Sequence, residues 1–235
     1  MGRAFEFRKA RKEKRWDWMA KTFTKIGKEI SMVVKQAGPD PETNPRLRTI
    51  IQNAKSSNMP KDRIEAAIKR ASSKDEKDYE EVIYEGYGPY GVAILVETAT
   101  DNPTRTVANI RMYFTRGDGA LGKSGSLDFI FTRKGVFRLD ANGLNKDELE
   151  FEAIDYGLDE IMEEEGELVL HTPLTEFGRM QKFLEGRGIT AISAQLQHIP
   201  TTSVTLTQEQ EDEIMELIEK FEQDEDVQTV YHNVS

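Results

Sequence analysis

The chain has 235 residues, of which 37% are hydrophobic and 31% charged, and its formal net charge is −10. This composition is typical of packed domains with a strongly solvated surface, and it excludes a chain that is disordered throughout. Disulfides and thiolate metal sites are excluded because there is no cysteine, and the three histidines lie too far apart in sequence to suggest a histidine-rich metal site. No apolar run approaches the roughly 20 residues that span a bilayer, and the N-terminus has no apolar secretory core. We therefore expect a cytoplasmic protein without a metal or cofactor.

The net charge hides a sharp division along the chain. Residues 1–71 carry 18 lysines and arginines against 8 acids, whereas the remaining residues carry 14 against 34. An N-terminal part at +10 and a remainder at −20 indicate a polyanionic partner at the N-terminal end. The acidic remainder would repel the same partner and would thereby help to fix which face binds.

Residues 1–18 are strongly basic but show no clean apolar stripe at helical spacing. We interpret them as a flexible arm that becomes ordered on its partner. Trp16 and Trp18 lie among the charges, and they either stack on unpaired bases, a contact worth about 1–3 kcal/mol per base, or anchor the arm to the helices behind it. The nucleic-acid-binding candidates in this arm are Arg3, Arg8, Lys9, Arg11, Lys12, Lys14 and Arg15.

Three helices are predicted to follow and, with the arm, to form an all-α domain over residues 1–78. The first spans residues 20–36 and has apolar side chains on one face and lysines on the opposite face. The second begins at Asn44, a cap followed by proline in the first turn, and the third begins at Pro60. The cations of these helices form either a merely solvated surface or a phosphate-binding surface, and their common sign in an acidic chain favours the second interpretation. The candidates are Lys21, Lys25, Lys28, Arg46, Arg48, Lys55, Lys61, Lys69 and Arg70.

The acidic body is predicted to be α+β. After a polar linker at residues 72–80, its first part contains two strands, a helix and a further strand, at residues 82–85, 92–97, 102–116 and 127–132. A strand, a helix and a strand form the C-terminal tail, at residues 203–206, 208–223 and 227–231. Because such a tail cannot close a core alone, we expect it to join the sheet of the first part. The middle domain is therefore predicted to be discontinuous, over residues 79–133 and 202–235.

The segment between these two pieces, residues 134–201, has the element order β-α-β-β-α-β, which is typical of ferredoxin-like domains. Its strands are predicted at residues 136–139, 160–164, 167–171 and 189–197. Its helices are predicted at residues 146–156 and 175–185. The sequence thus predicts an N-terminal all-α domain followed by two α+β domains, of which the ferredoxin-like one is inserted into the other.

Residues 117–124, Gly-Asp-Gly-Ala-Leu-Gly-Lys-Ser, fit the spacing of a phosphate-binding loop. Such a loop works only where it leaves a strand and opens a helix, because the backbone amides and the helix N-terminus must converge on the phosphate. Here the predicted order is reversed, since a helix precedes the loop and a strand follows it. We therefore interpret Gly117 as a helix C-cap and decline a nucleotide-hydrolysing role. The sequence contains no other catalytic motif, so we expect a non-catalytic protein.

Several local motifs together resemble those of the YebC/PmpR family. They include Asn44-Pro45-Arg46-Leu47-Arg48, Tyr84-Glu85-Gly86-Tyr87-Gly88-Pro89, Thr100-Asp101-Asn102 with Arg105-Thr106-Val107, and Leu121-Gly122 with Gly125-Ser126. The resemblance covers nearly the whole chain. It implies three domains with the third inserted into the second, in a cytoplasmic protein usually described as a DNA-binding transcriptional regulator. It also implies a surface near the domain junction that is lined by Tyr84, Tyr87, Asp101, Asn102, Arg105 and Thr106. For Asn102 itself, we favour a helix-capping role.

Three functions are consistent with these patterns. We rank a DNA-binding regulator of transcription first. A ribosome- or rRNA-associated translation factor is second, because the resembled family includes the mitochondrial translational activator of cytochrome c oxidase subunit I. A protein-interaction scaffold, whose basic domain docks a protein, is third. Because the first two functions share the same electrostatics, composition cannot separate them. We expect a monomer with nucleic acid as its partner, without a membrane or a small-molecule substrate.

Overall fold

The computed structural model describes the backbone of residues 3–73 and 77–235 and the side chains of residues 19–73 and 77–235. The helices are α1 (Arg3–Ala37), α2 (Pro45–Ser56), α3 (Lys61–Ala71), α4 (Pro103–Arg116), α5 (Lys146–Ala153), α6 (Phe177–Gly186) and α7 (Gln208–Glu222). The strands are β1 (Glu80–Tyr87), β2 (Ala93–Thr100), β3 (Ala120–Leu121), β4 (Phe131–Asp140), β5 (Glu160–Glu164), β6 (Glu167–Pro173), β7 (Ser193–Pro200) and β8 (Val227–His232). Within the described residues, no helix is both long enough and apolar enough to cross a membrane.

The N-terminal part is helical, as predicted, but its first helix is longer than expected. α2 and α3 begin at the predicted places, with Asn44 and Pro60 as their N-caps. The backbone of α1 is helical from Arg3, so the predicted start of the first helix at residue 20 is wrong. Once a helix is nucleated, each further residue adds one hydrogen bond, so a basic segment without an apolar stripe can extend a packed helix.

Asn44 fixes the corner between α1 and α2. Its Oδ1 accepts a hydrogen bond from the Leu47 amide at 3.1 Å, and its Nδ2 donates to the carbonyls of Val33 and Gly38 at 3.0 and 2.9 Å. These bonds satisfy backbone groups at both helix ends, which is the purpose of a cap. Around this corner the apolar faces of the three helices converge on a core of Ile26, Ile30, Val33, Val34, Leu47, Ala54, Met59, Ile64, Ala67 and Ala71.

The first sheet has the strand order β3-β1-β2-β8. The C-terminal strand β8 therefore lies beside β2, which confirms that the tail joins the sheet of the first α+β part. The strand predicted at residues 203–206 is instead a single parallel bridge between Val204 and Val234. β3 was not predicted, because two residues are too few to show an alternating pattern.

The second sheet has the strand order β5-β6-β4-β7, and all neighbouring strands are antiparallel. With α5 after β4 and α6 after β6, this confirms the predicted ferredoxin-like arrangement. β4 is one strand of 10 residues where the sequence predicted two, because Lys134 and Gly135 remain paired with Pro173 and Thr172. The core of this part is formed by Phe137, Leu139, Leu149, Ala153, Ile161, Leu168, Leu170, Met180, Phe183, Leu184, Ala191 and Ala194.

Two compact units divide the chain. The first unit contains residues 1–82, 98–106 and 222–228, so it joins the three N-terminal helices to short pieces of the first α+β part. The second unit contains residues 83–97, 107–221 and 229–235. The predicted domain boundaries, at residues 78/79, 133/134 and 201/202, stay a prediction.

Candidate nucleic-acid interface

The second helix presents a surface of uncompensated positive charge. α2 contains no acidic residue, and its three cations Arg46, Arg48 and Lys55 are all exposed. Arg46 donates to the side-chain oxygen of Gln36 at 3.1 Å. Arg48 donates to the carbonyls of Pro41 and Glu42 at 3.3 and 3.4 Å. These acceptors are neutral, so they orient the guanidinium groups without cancelling their charge.

The third helix adds further cations to the same unit. Lys61, Lys69 and Arg70 are exposed on α3, as predicted. Lys61 lies 3.6 Å from Glu65, but the two side chains are 85% and 65% exposed, and such surface pairs are worth at most about 1 kcal/mol. Arg63 was missed by the sequence analysis, and it is exposed as well, with its guanidinium 5.9 Å from the centre of the Phe23 ring.

Core packing fixes the direction of these cations. Leu47 and Ala54 of α2 and Ile64 and Ala67 of α3 are buried, so each helix has its apolar stripe turned inward. Side chains on the remaining helix faces must then lie in solvent. The positive charge of α2 and α3 is therefore displayed by a rigid helical core.

The lysines of α1 do not form the exposed row that the sequence predicted. Lys21 is exposed, whereas Lys25 is half-buried and donates to the carbonyl of Gln228 at 2.8 Å. Burial lowers the pKa of Lys25, and the nearby carboxylate of Glu222 opposes this effect. The ammonium group of Lys25 is therefore used in a structural hydrogen bond rather than displayed to solvent.

Lys28 is the clearest correction. It is buried, and its ammonium group donates to the carbonyl of Ala99 at 3.0 Å, the carbonyl of Glu225 at 2.7 Å and the carboxylate of Asp226 at 3.0 Å. An ammonium group has three N–H donors, and all three are used here. Lys28 cannot also bind phosphate, and its role is to hold α1 within the first unit.

Asp226 is the centre of a buried polar cluster that includes Lys28, Thr100, Arg105 and Thr106. Its carboxylate also accepts from the Thr106 hydroxyl at 2.8 Å, the Thr100 hydroxyl at 3.3 Å and the Arg105 guanidinium at 2.5 Å. Burial alone would raise the pKa of Asp226, but the hydrogen bonds from Arg105, Thr106 and Lys28 outweigh burial and lower it. Asp226 shows no local sequence signal, because every side chain that donates to its carboxylate is more than 100 residues away.

The polar residues of the predicted junction surface have different roles. Asn102 caps α4, accepting from the Arg105 amide at 3.1 Å, which confirms the capping role. Asp101 binds Lys77 at 2.5 Å and Arg105 at 2.9 Å, and these hydrogen bonds lower the pKa of Asp101 to about 2. Thr106 is fully buried, so it lies beneath a surface rather than on one.

The two tyrosines of the predicted junction surface belong to the second unit. Tyr84 is buried and Tyr87 is 38% exposed, so only Tyr87 of the pair offers its ring to solvent. The predicted cations from Arg3 to Arg15 belong to the segment whose backbone is described and whose side chains lie outside the described residues.

The glycine-rich segment at residues 117–124 is not built to hold phosphate. It follows α4, as the sequence predicted, and its continuation is fixed by Glu85, which is buried and accepts from the amides of Gly125 and Leu127, both at 2.7 Å. Within the segment, the Gly119 amide donates to the Phe114 carbonyl at 2.8 Å and the Gly122 amide to the Glu85 carbonyl at 2.7 Å, so these amides are already used by the protein itself. Gly117 directly follows α4 and its amide donates to the Tyr113 carbonyl at 3.0 Å, as a C-cap residue does, whereas the left-handed conformation is taken by Asp118, with φ of 53°. A side chain at Gly117 would instead collide with Leu217, at 2.7 Å.

Two family models match this chain. One is described as TACO1/YebC protein N-terminal domain and matches residues 3–74, and the other is described as TACO1/YebC second and third domain and matches residues 79–234. A protein of Cytophaga hutchinsonii is 62% identical over 235 residues, covering 100% of this chain and 99% of the relative. A protein of Porphyromonas gingivalis is 55% identical over 235 residues, covering 100% of this chain and 97% of the relative. Both relatives carry the name probable transcriptional regulatory protein.

A solved structure also matches the fold. The crystal structure of a conserved hypothetical protein from Aquifex aeolicus superimposes with a TM-score of 0.82 at 37% sequence identity, covering 92% of this chain and 90% of that chain.

Proposed function

The chain belongs to the TACO1/YebC family, and from this premise we propose that it is a non-catalytic regulator of transcription that binds duplex DNA in the cytoplasm through its N-terminal helices. The names of its relatives support a regulatory role. The observation that carries the proposal is the exposed positive charge of α2 and α3, which together contain seven lysines and arginines and only two acids.

The positive charge is suited to a phosphate backbone. α2 has 12 residues, so it is about 18 Å long, and it carries cations near both ends. Each phosphate that such cations neutralise releases counterions, which drives binding without reading sequence. Contacts of this kind fix position and orientation, whereas sequence is read from base edges. We therefore propose binding with a strong electrostatic component and little base preference from α2 and α3.

The test compares two variants with the same change in charge. In Arg46→Glu/Arg48→Glu/Lys55→Glu, three cations of α2 are reversed, whereas Lys123→Glu/Lys182→Glu/Lys220→Glu reverses three exposed lysines elsewhere. Fluorescence anisotropy with a labelled 20-base-pair duplex measures affinity between 50 and 200 mM salt. We expect the α2 variant to bind at least about 100-fold more weakly than the wild type and to show a shallower salt dependence. The control variant should stay much closer to the wild type. Equal weakening in both variants would show that only total charge matters and would refute the assigned face.

The ligand is tested separately. The same assay with an rRNA hairpin of equal length decides between DNA and RNA, since both carry the backbone charge on which the proposed face depends. Tighter binding to the hairpin at equal salt would replace transcription by translation as the proposed process. Sedimentation of the complex tests the proposal that the protein binds as a monomer.

A further inference from the structure

The ferredoxin-like domain carries an exposed apolar patch on α5 and the turn of 3₁₀-helix that follows it. Phe151, Ile154 and Tyr156 are 80%, 59% and 39% exposed, and we call these three side chains the α5 patch. Within the described part of the chain, only eight large hydrophobic side chains are exposed, and Phe151 is the most exposed of them. Isolated surface hydrophobics are ordinary, but three within six residues form a local surface that can bury area on a partner.

The α5 patch is not part of the core of its own domain. α5 buries Leu149 and Ala153, and Phe151 lies two residues from each of them, so it points about 200° away around the helix. Tyr156 is held in place, because its ring stacks on Phe183 with the ring centres 4.4 Å apart and the planes 20° from parallel. The patch is therefore displayed on a fixed frame, and docking on it would cost little ordering of the backbone.

The surroundings of the α5 patch are acidic. Residues 146–160 contain seven acids and one lysine. On the helix surface Phe151 has Asp147 and Glu148 on the preceding turn and Asp155 on the following turn. Arg187 compensates part of this charge, since it pairs with Glu152 and lies 3.8 Å from Glu148. Arg179 adds a second cation, since it donates to the backbone carbonyl of Asp155 at 2.8 Å. The side chains of Glu150 and Asp155 are exposed and the acids outnumber these cations, so the patch keeps an anionic rim.

We propose that the α5 patch docks a lysine- or arginine-rich protein segment that carries apolar side chains. Apolar side chains of the partner would cover Phe151 and Ile154, and its cations would meet the rim formed by Glu150 and Asp155. The sign of the charge disfavours nucleic acid here, and a second α5 patch would be repelled by its own acids. This function goes beyond nucleic-acid binding: the protein has a cationic face for nucleic acid and, on another domain, an anionic apolar face for a basic protein.

The probe is a fluorescein-labelled, 16-residue peptide with lysine and leucine at helical spacing. Its control has glutamate in place of every lysine. With the full-length protein, fluorescence anisotropy should show binding of the lysine peptide and none of the glutamate peptide. Absence of binding by the lysine peptide would overturn the proposal.

Two pairs of variants assign the binding to the patch. Phe151→Ser/Ile154→Ser removes its apolar part, and Phe129→Ser/Met215→Ser is the matched control, because Phe129 and Met215 are exposed elsewhere. Glu150→Lys/Asp155→Lys reverses the rim, and Glu216→Lys/Glu219→Lys makes the same change on α7. Each patch variant should weaken peptide binding about tenfold or more, as truncation of an interface anchor does, and each control should not.

These variants alter exposed side chains, and circular dichroism checks that the fold is kept. Equal weakening in the patch variants and their controls would overturn the proposal. It would also be overturned if the wild type formed a dimer that Phe151→Ser/Ile154→Ser dissociates, because a second copy would then be the occupant. DNA binding by Phe151→Ser/Ile154→Ser, which leaves the net charge unchanged, should equal that of the wild type, so this experiment and the test of the α2 face can fail independently.

Discussion

Replacing Asp226 tests the polar cluster that holds α1 within the first unit. Asp226→Ala removes a carboxylate that accepts from Lys28, Arg105 and two threonine hydroxyls. The side chains of Lys28 and Asp226 are only 10% and 6% exposed, so the variant leaves a buried ammonium without a counter-charge. Removal of one partner from a buried ion pair costs about 3–5 kcal/mol, and we expect a loss of stability in this range.

A neighbouring variant gives the contrast. Arg105→Ala removes a second ion pair of the same carboxylate, but the Arg105 side chain is 47% exposed. Water screens an exposed pair, so we expect this variant to cost about 1 kcal/mol or less. The two losses should differ because Asp226→Ala removes the buried acceptor of four side-chain donors, whereas Arg105→Ala removes only the exposed bonds of one guanidinium to Asp226 and Asp101.

Hydrogen exchange at the backbone amides of residues 19–37 is the appropriate assay, because a chain with two compact units need not unfold in a single step. In Asp226→Ala, we expect the slowest amides of this segment to exchange roughly two to four orders of magnitude faster than in the wild type. Glu219→Ala, an exposed change on α7, serves as the control. Unchanged protection in Asp226→Ala, or equal losses for Asp226→Ala and Arg105→Ala, would refute the role assigned to the cluster.

Three further predictions concern other parts of the chain. The pKa of Asp101 is lowered to about 2, so its ion pairs stabilise the fold above the unfolded pKa of about 3.9, and this stabilisation is lost as the pH falls toward 2. Thermal melts of Asp101→Asn should therefore show a smaller decline in melting temperature between pH 4 and pH 2 than those of the wild type. Glu85→Gln weakens the charge-assisted hydrogen bonds from the amides of Gly125 and Leu127 and should lower the free energy of unfolding by about 1–3 kcal/mol. Amide exchange at residues 122–127 should become faster. Gly119→Ala places a Cβ 2.5 Å from the carbonyl oxygen of Tyr87 and should lower the melting temperature. In Gly178→Ala, the new Cβ on α6 meets no atom within 4 Å, so this variant should stabilise the protein by about 0.5–1 kcal/mol. Calorimetry of both variants measures the difference.

Local signals predicted the fold well where structure is decided locally. The start of α2 follows from Asn44 and the proline after it, whose capping role depends on residues close in sequence. The ferredoxin-like order followed from alternating strand and helix patterns. The family resemblance read from short motifs is likewise confirmed.

Non-local contacts explain what the sequence did not show. The position of Lys28 on its helix predicts a place in a cationic row, but Ala99 and Asp226, which bind it, are 71 and 198 residues away. The sequence predicts two strands where β4 is one, because the pairing of Lys134 and Gly135 with β6 keeps the chain extended between them. Which cations remain available to a ligand is therefore a tertiary property, and among the candidates whose side chains are described, the exposed ones belong chiefly to α2 and α3.

Lysine footprinting tests the central claim most directly. The protein is acetylated with and without saturating duplex DNA, and each modified lysine is quantified by mass spectrometry. We predict that DNA protects Lys55, Lys61 and Lys69 and leaves Lys182 and Lys220 as reactive as in the free protein. Equal reactivity of Lys55, Lys61 and Lys69 in the free and DNA-bound states would contradict the proposed nucleic-acid interface.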